Sequence, residues 1–225
     1  MHGYLTPRVS PDDGRIAVQL SEDRSVWIWD VARETLIPLT ARGSRSVYPL
    51  WTRDGARVAF ASSGVWWQAA DGSGTPERLA APSGGSQLPN AFAPDGRLIV
   101  TDGDNNNVSV VTPGSQSPTE LLIGRPGMSA RNAEIAPDGR LLAYETNESG
   151  QFQVVVRTFP DVNAGRWQVS TAGGTRPLWS RDGRELFYVP PDGGIMRVQV
   201  TQGSSVGFGA LTRLLTGPYS WSVGA

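Results

Sequence analysis

A short turn motif recurs at nearly constant spacing along this chain, and that spacing restricts the fold more than any other feature. The motif is most complete in PLWSRDGRELFY (177–188), where an Asp-Gly turn separates two apolar segments. Copies reading VSPDD, WTRDG, FAPDG and IAPDG precede it, so that the turn aspartates lie 42, 41, 43 and 44 residues apart. A period in this range, with several short strands in each unit, is typical of a β-propeller.

The repeat predicts a single all-β domain over residues 1–225, a propeller of five recognisable four-stranded blades. The blades are expected at about 5–40, 48–80, 90–123, 133–171 and 177–215, followed by a C-terminal tail at 216–225. Each blade buries its apolar faces only when neighbouring blades stack on them. Large apolar residues just before the turns are therefore expected to be buried between blades, namely Trp51, Phe92, Ile135 and Trp179.

The turn aspartates are predicted to be structural. An aspartate can accept hydrogen bonds from nearby backbone N–H groups, and the following glycine adopts positive φ without a steric clash. This assignment covers Asp12, Asp54, Asp95, Asp138 and Asp182.

Composition excludes several classes of function. The net charge of −1 argues against bulk attraction to nucleic acid or to an anionic membrane. The chain contains no cysteine and no lysine, which excludes thiolate catalysis, cysteine-ligated zinc and Schiff-base chemistry. No apolar run is long enough to cross a bilayer, and the first ten residues lack a signal-peptide pattern. The sequence leaves localisation open.

No catalytic constellation is evident. Residues 203–207 spell G-x-S-x-G, but a serine nucleophile needs a histidine base, and the chain has only His2. A glycosidase needs at least two carboxylates on the inner strands, whereas only Glu134 has a suitable position there. The expectation is a protein that is not an enzyme and needs no cofactor.

One segment resembles a weak cation site. Asp102 and Asp104, within DGDNNN (102–107), offer alternating oxygen side chains as calcium loops do. The same residue types are favoured in a solvated hairpin turn, which is the preferred interpretation. A calcium ion remains the alternative, and no other metal site is predicted.

Arginines concentrate in the connections between successive blades. These connections share one face of a propeller and hold Arg42, Arg45, Arg125, Arg131 and Arg176, with no acidic residue before Glu134. One interpretation is that these six residues surround the channel mouth and bind an anion or an acidic peptide through bidentate guanidinium contacts. The other is that they form ordinary surface ion pairs across loops.

The segments PDGRLLAYETNESGQFQVVVRTFP, RWQVSTAGG and PLWSRDGRELFY resemble the TolB-like propeller repeats of bacteria, which are related to WD repeats. They are most similar to the propellers attached to bacterial serine/threonine protein kinases. The resemblance implies a non-catalytic scaffold that binds a protein or peptide, as the sensor part of a larger receptor-kinase-like protein. It also allows an extracytoplasmic position.

Two alternatives stay open: the accessory propeller of a prolyl-oligopeptidase-like hydrolase, and a propeller enzyme that uses its axial channel. The family usually has six blades, so closure with five is in question. Contact between blades one and five, with Trp221 against their seam, is the expected form of closure. An open ring would instead favour self-association.

Overall fold

The structure, a computed structural model, describes residues 3–80, 85–103, 106–115, 119–203 and 205–217. Every regular element in these ranges is a β-strand, and the strands form five antiparallel sheets. This confirms the predicted all-β propeller architecture, with one sheet for each copy of the sequence repeat.

Four blades have four strands each, paired in chain order from the innermost to the outermost strand. Blade one comprises β1 (Tyr4–Val9), β2 (Arg15–Leu20), β3 (Ser25–Asp30) and β4 (Thr35–Pro38). Blade two comprises β5 (Val47–Trp51), β6 (Arg57–Ala61), β7 (Val65–Ala69) and β8 (Glu77–Arg78). Blade three comprises β9 (Gln87–Phe92), β10 (Leu98–Asp102), β11 (Asn107–Val111) and β12 (Glu120–Ile123). Blade four comprises β13 (Ala130–Ile135), β14 (Leu141–Thr146), β15 (Gln153–Thr158) and β16 (Arg166–Gln168).

Blade five departs from the predicted four strands. It comprises β17 (Thr175–Trp179), β18 (Glu185–Val189), β19 (Ile195–Gln202), β20 (Val206–Phe208) and β21 (Thr212–Leu215). Both β20 and β21 pair with β19, one along each half of that eight-residue strand. The outer edge of blade five is therefore built from two short strands.

The Asp-Gly turns have the geometry that the sequence predicts. In each of the five copies the aspartate Oδ1 accepts the backbone N–H two residues later, at 3.0–3.1 Å. The residue after the aspartate has positive φ in every copy, including Asp13, which stands in the glycine position of the first turn with φ 60°. Asparagine and aspartate tolerate this conformation better than other non-glycine residues.

Replacing Asp138 with alanine should lower the free energy of unfolding by about 0.5–2 kcal/mol, because the Arg140 N–H loses its acceptor. Chemical denaturation measures the loss. Asp138→Asn keeps an acceptor oxygen and is the matched control, with a smaller expected effect. A ligand-binding defect in Asp138→Ala at unchanged stability would show that this turn is functional.

Hydrophobic clusters join each blade to the next. Separate clusters of buried residues lie between blades one and two, two and three, three and four, and four and five. Trp51, Phe92, Ile135 and Trp179 belong to these four clusters and are only 6–8% exposed, as predicted.

The seam between blades one and five is different. No hydrophobic cluster of the described residues crosses it, and blade one instead has a cluster of its own around Trp27. Val9, the counterpart of Trp51 and Trp179, is 54% exposed. Across this seam Arg181 donates two hydrogen bonds to the Asp13 carboxylate, from Nη1 at 2.8 Å and from Nη2.

Closure of the ring by contact between blades one and five stays a prediction. Among the described residues, the ion pair between the two turns joins blades one and five, and no cluster of buried apolar residues spans them. Trp221 and the rest of segment 218–225 lie outside the described residues.

Candidate functional site

The inner strands of all five blades surround one cavity of about 340 Å³, here called the axial pocket. Strands β1, β5, β9, β13 and β17 each contribute to its lining, and blade five adds Phe187, Tyr188, Val189 and Ile195. The volume is at the lower end of the range for small-ligand sites. This cavity is the candidate functional site.

A β-bulge in each inner strand directs residues toward the axial pocket. The pairing register jumps between Leu5 and Arg8 in β1, and β5, β13 and β17 contain the same jump. In these four strands the first bulged residue has positive φ: 46° for Thr6, 55° for Tyr48, 51° for Asn132 and 54° for Arg176. Bulges redirect side chains, and positive φ in non-glycine residues concentrates at functional sites. All four residues line the pocket.

The bulge of blade three differs from the other four because a proline stands at the position where they have positive φ. Pro89 occupies the position of Thr6 and Tyr48, and the proline ring fixes φ near −65°. The register in β9 consequently skips only one residue, Asn90. The Asn90 side chain accepts a hydrogen bond from the Thr101 hydroxyl at 2.6 Å, and both Pro89 and Asn90 line the pocket.

Two charged side chains meet in the axial pocket. Arg8 Nη1 of blade one lies 3.6 Å from Glu134 Oε1 of blade four. The Glu134 side chain is only 19% exposed. Burial raises its pKa to about 7, because the nearby Arg8 guanidinium only partly offsets the cost of removing a carboxylate from water. Glu134 therefore changes charge near neutral pH.

Tryptophans of the following blades fix the backbone of both charged residues. The Trp51 indole Nε1 donates to the Arg8 carbonyl oxygen at 2.8 Å. In the same way, Trp179 Nε1 donates to the Glu134 carbonyl oxygen at 3.1 Å. Each bond crosses an interface between blades, so the packing of the propeller and the geometry of the site are coupled.

A third charged residue, Arg176, is positioned by a buried carboxylate. Its backbone N–H donates to Glu145 Oε2 at 2.6 Å, and Glu145 is fully buried. The other oxygen of Glu145 accepts Nε of Arg131 at 2.7 Å. Since Glu145 belongs to β14 and Arg176 to β17, this carboxylate joins blades four and five directly behind the pocket lining.

Of the six residues predicted at the channel mouth, Glu134 and Arg176 line the axial pocket. Arg131 instead pairs with Glu145, and its guanidinium lies 4.5 Å from the centre of the Phe152 ring. Two of the six predicted residues therefore line the axial pocket, and Arg131 lies behind the pocket lining, where it pairs with Glu145.

The remaining arginines lie in the loops. Arg125 pairs with Glu148 at 3.0 Å, and Arg42 lies 3.9 Å from Asp23. These contacts follow the alternative interpretation of ion pairs across loops. Arg45 is exposed. Their part in ligand binding stays a prediction.

Sequence reasoning gave no role to Arg8, although Arg8 holds in blade one the position that Glu134 holds in blade four, because only carboxylates were considered at that position. The bulges themselves leave a repeated signal in the sequence. A proline directly follows the first bulged residue in blades one, two and five, at Pro7, Pro49 and Pro177. Proline inside a strand is typical of an edge strand or a bulge, and the inner strand of a blade is both here.

The cation and nucleophile patterns lie partly beyond what the structure describes. Asp104, Ser204 and His2 are outside the described residues, whereas Ser205, the serine at the nucleophile position of the G-x-S-x-G pattern, is described and exposed. Within the described ranges no three or more histidine, aspartate or glutamate side chains converge as a metal site. No helix in those ranges is long and apolar enough to cross a membrane.

Comparison with solved structures identifies the fold. A putative TolB from Agrobacterium tumefaciens superposes with a TM-score of 0.71 at 15% identity, over 94% of this chain and 82% of that one. The Cps50 (Swd1) β-propeller domain of Myceliophteria thermophila gives a TM-score of 0.70 at 15% identity, over 91% and 67%. The fold is therefore the β-propeller found in TolB-like and WD-repeat-like proteins.

The sequence comparisons extend less far. No family model matches the chain. A dipeptidyl aminopeptidase BI from Pseudoxanthomonas mexicana is 35% identical over 74 residues, or 32% of this chain. The matched part is 10% of that peptidase, so the likeness concerns a small region of a much longer protein.

Proposed function

We propose that this β-propeller is a non-catalytic binding module and that its protein or peptide ligand enters the axial pocket. The observation that carries the proposal is the convergence of bulged side chains from separate blades on one cavity. Positive φ costs backbone energy in non-glycine residues, and here it recurs at Thr6, Tyr48, Asn132 and Arg176, all of which line the same pocket.

The chemistry of the pocket supports recognition rather than catalysis. Glu134 is the one carboxylate among the described lining residues, and the polar groups around it include Arg8, Asn90 and Asn132. A few polar groups on a mainly apolar lining are typical of ligand sites. Neither nucleic acid binding nor membrane insertion forms part of the proposal.

Asn132→Tyr tests the site of binding. This change copies Tyr48, which occupies the equivalent bulge of blade two with nearly the same φ, so the backbone is suited to it. The added ring should fill the pocket. Peptides selected from a random phage library on the unchanged protein should then bind Asn132→Tyr at least roughly tenfold more weakly, as measured by biolayer interferometry.

Leu121→Tyr is the matched control, since Leu121 is 56% exposed on the outer strand of blade three. It should bind the selected peptides normally. Equal binding by Asn132→Tyr would place the site elsewhere. The predicted loop arginines would then be the next positions to replace, starting with Arg42, Arg45 and Arg125.

A second candidate function is that of an accessory propeller in a hydrolase. The local likeness to a dipeptidyl aminopeptidase favours it. In that role the axial pocket would contact substrates on their way to a separate catalytic domain. Sequencing the reading frame around the gene segment tests this, because a fused hydrolase domain would support it and a fused kinase domain would support the sensor role predicted from sequence.

A further inference from the structure

The charges in the axial pocket are unbalanced. Among the described residues that line it, Arg8 and Arg176 are basic and Glu134 is acidic. Because the pKa of Glu134 is raised to about 7, the pocket carries between one and two net positive charges around neutral pH. A cavity with this charge attracts an anionic group.

Both guanidinium groups are available to such an anion. The Arg8–Glu134 distance of 3.6 Å is longer than a charge-assisted hydrogen bond, which is about 2.7–2.9 Å. The Arg176 side chain has no ion-pair partner among the residues that the structure describes, and its backbone is held by Glu145. Arginine binds carboxylates through two parallel hydrogen bonds.

An apolar wall lies in the same cavity. Leu178 is 51% exposed there, and Phe187, Val189 and Ile195 of blade five are partly exposed beside it. Partly exposed apolar side chains next to basic groups suit a ligand with both kinds of surface. Burial of such side chains by a ligand contributes free energy in proportion to the area covered.

We propose that the axial pocket binds a carboxylate attached to a bulky apolar group, with Arg176 and Arg8 holding the carboxylate, and that binding places a proton on Glu134. The inference rests on the proposed function and names the ligand chemistry of the same site. A peptide supplies this chemistry either at its C-terminus or at an acidic residue beside an apolar one.

The direction of the proton linkage follows from charge. Above pH 7 an ionised Glu134 competes for Arg8 and repels an incoming carboxylate, so binding favours its neutral form. Affinity therefore rises as pH falls from 8 to 6. The other titratable groups that face the pocket are Tyr48 and Tyr188; burial raises the pKa of Tyr188, so this phenol stays neutral in that range.

Calorimetry with defined peptides tests the proposal. The probes are acetyl-Gly-Gly-Phe with a free carboxylate, its C-terminal amide, and acetyl-Glu-Phe-amide. At least one carboxylate peptide should bind about tenfold more tightly at pH 6 than at pH 8 and take up about half a proton at pH 7. The amide should bind at least tenfold more weakly than the acid at pH 6, and the tighter carboxylate peptide identifies the source of the group.

Two variants separate the roles of the charged residues. Glu134→Gln keeps the shape of the side chain and should abolish the pH dependence while retaining binding at pH 8. Arg176→Asn copies Asn132, which has nearly the same positive φ, and should remove the preference for acid over amide. Circular dichroism confirms that both variants fold.

Several results would overturn the inference: equal binding of acid and amide, an unchanged pH dependence in Glu134→Gln, or no binding of any probe at millimolar concentration. The proposed function has its own test, because phage-selected peptides blocked by Asn132→Tyr would still establish the pocket as a binding site for other chemistry.

Discussion

Trp179→Ala should lower the free energy of unfolding by about 3–5 kcal/mol, the usual cost of truncating a large buried aromatic residue. Trp179 is 8% exposed and packs in the cluster between blades four and five. Its truncation leaves a cavity where Leu186 and Val198 lose contacts. It also removes the indole donor from the Glu134 carbonyl oxygen. Urea denaturation followed by circular dichroism measures the loss.

Trp179→Phe is the control for the separate contributions. Phenylalanine keeps most of the apolar contact but lacks the N–H. The free energy of unfolding should therefore fall by less than in Trp179→Ala, and the decrease reflects the lost hydrogen bond and a smaller cavity. Because the indole holds the backbone of Glu134, both variants should also weaken binding in the axial pocket. A stability loss below about 1 kcal/mol in Trp179→Ala would contradict the packing described for this interface.

Glu145→Ala should destabilise the protein by a similar amount, about 3–5 kcal/mol, through a different cause. Glu145 is fully buried and accepts hydrogen bonds from the Arg131 side chain and the Arg176 backbone. Its removal leaves the Arg176 N–H without its acceptor and Arg131, whose side chain is 36% exposed, without its ion-pair partner. Differential scanning calorimetry and chemical denaturation both report the effect.

Glu145→Gln separates charge from hydrogen bonding. The amide oxygen can still accept one of the two donors, so the expected loss is smaller, about 1–2 kcal/mol. Glu148→Gln, which weakens surface ion pairs with Arg125 and Arg166, should cost less than about 1 kcal/mol and is the surface control. If Glu145→Ala were as mild as Glu148→Gln, the carboxylate would not be the link between blades four and five.

The blades were predictable from sequence because their signals are local. An Asp-Gly turn needs only adjacent residues, and its repetition at a fixed period specifies the architecture. The buried positions of Trp51, Phe92, Ile135 and Trp179 follow from the same repeat, since each stands immediately before a turn copy. The blades could be predicted because the turn residues and the apolar pattern indicate the same strand boundaries.

The axial pocket was only partly predictable, since a bulge breaks the period-two pattern of a strand. Inserting one residue sends the following side chains to the other face. Arg131 and Arg176 look alike in sequence, as each is the second residue of an inner strand. The structure separates them: Arg131 stands opposite Glu145 in the strand register, whereas Arg176 is the first bulged residue. Arg8 directly follows a bulge, as Glu134 does, so its position was predictable, whereas its pairing with Glu134 across the axis was not.

The hydrogen bonds from the Trp51 and Trp179 indoles run in the same order around the propeller. In both cases the donor belongs to the later blade and the acceptor to the blade before it. Each blade therefore has two unlike sides. One side presents the residue just before the turn, such as Trp51 or Trp179, and the other presents the carbonyl oxygen of the residue one position earlier, such as Arg8 or Glu134. Between blades five and one, the equivalent residues are Val9 on blade one and Leu178 on blade five. Each is exposed, whereas the residues at the same positions in the other blades are not. Because each blade presents two unlike sides, a blade added or lost by gene duplication or deletion would still leave junctions between one side of each kind.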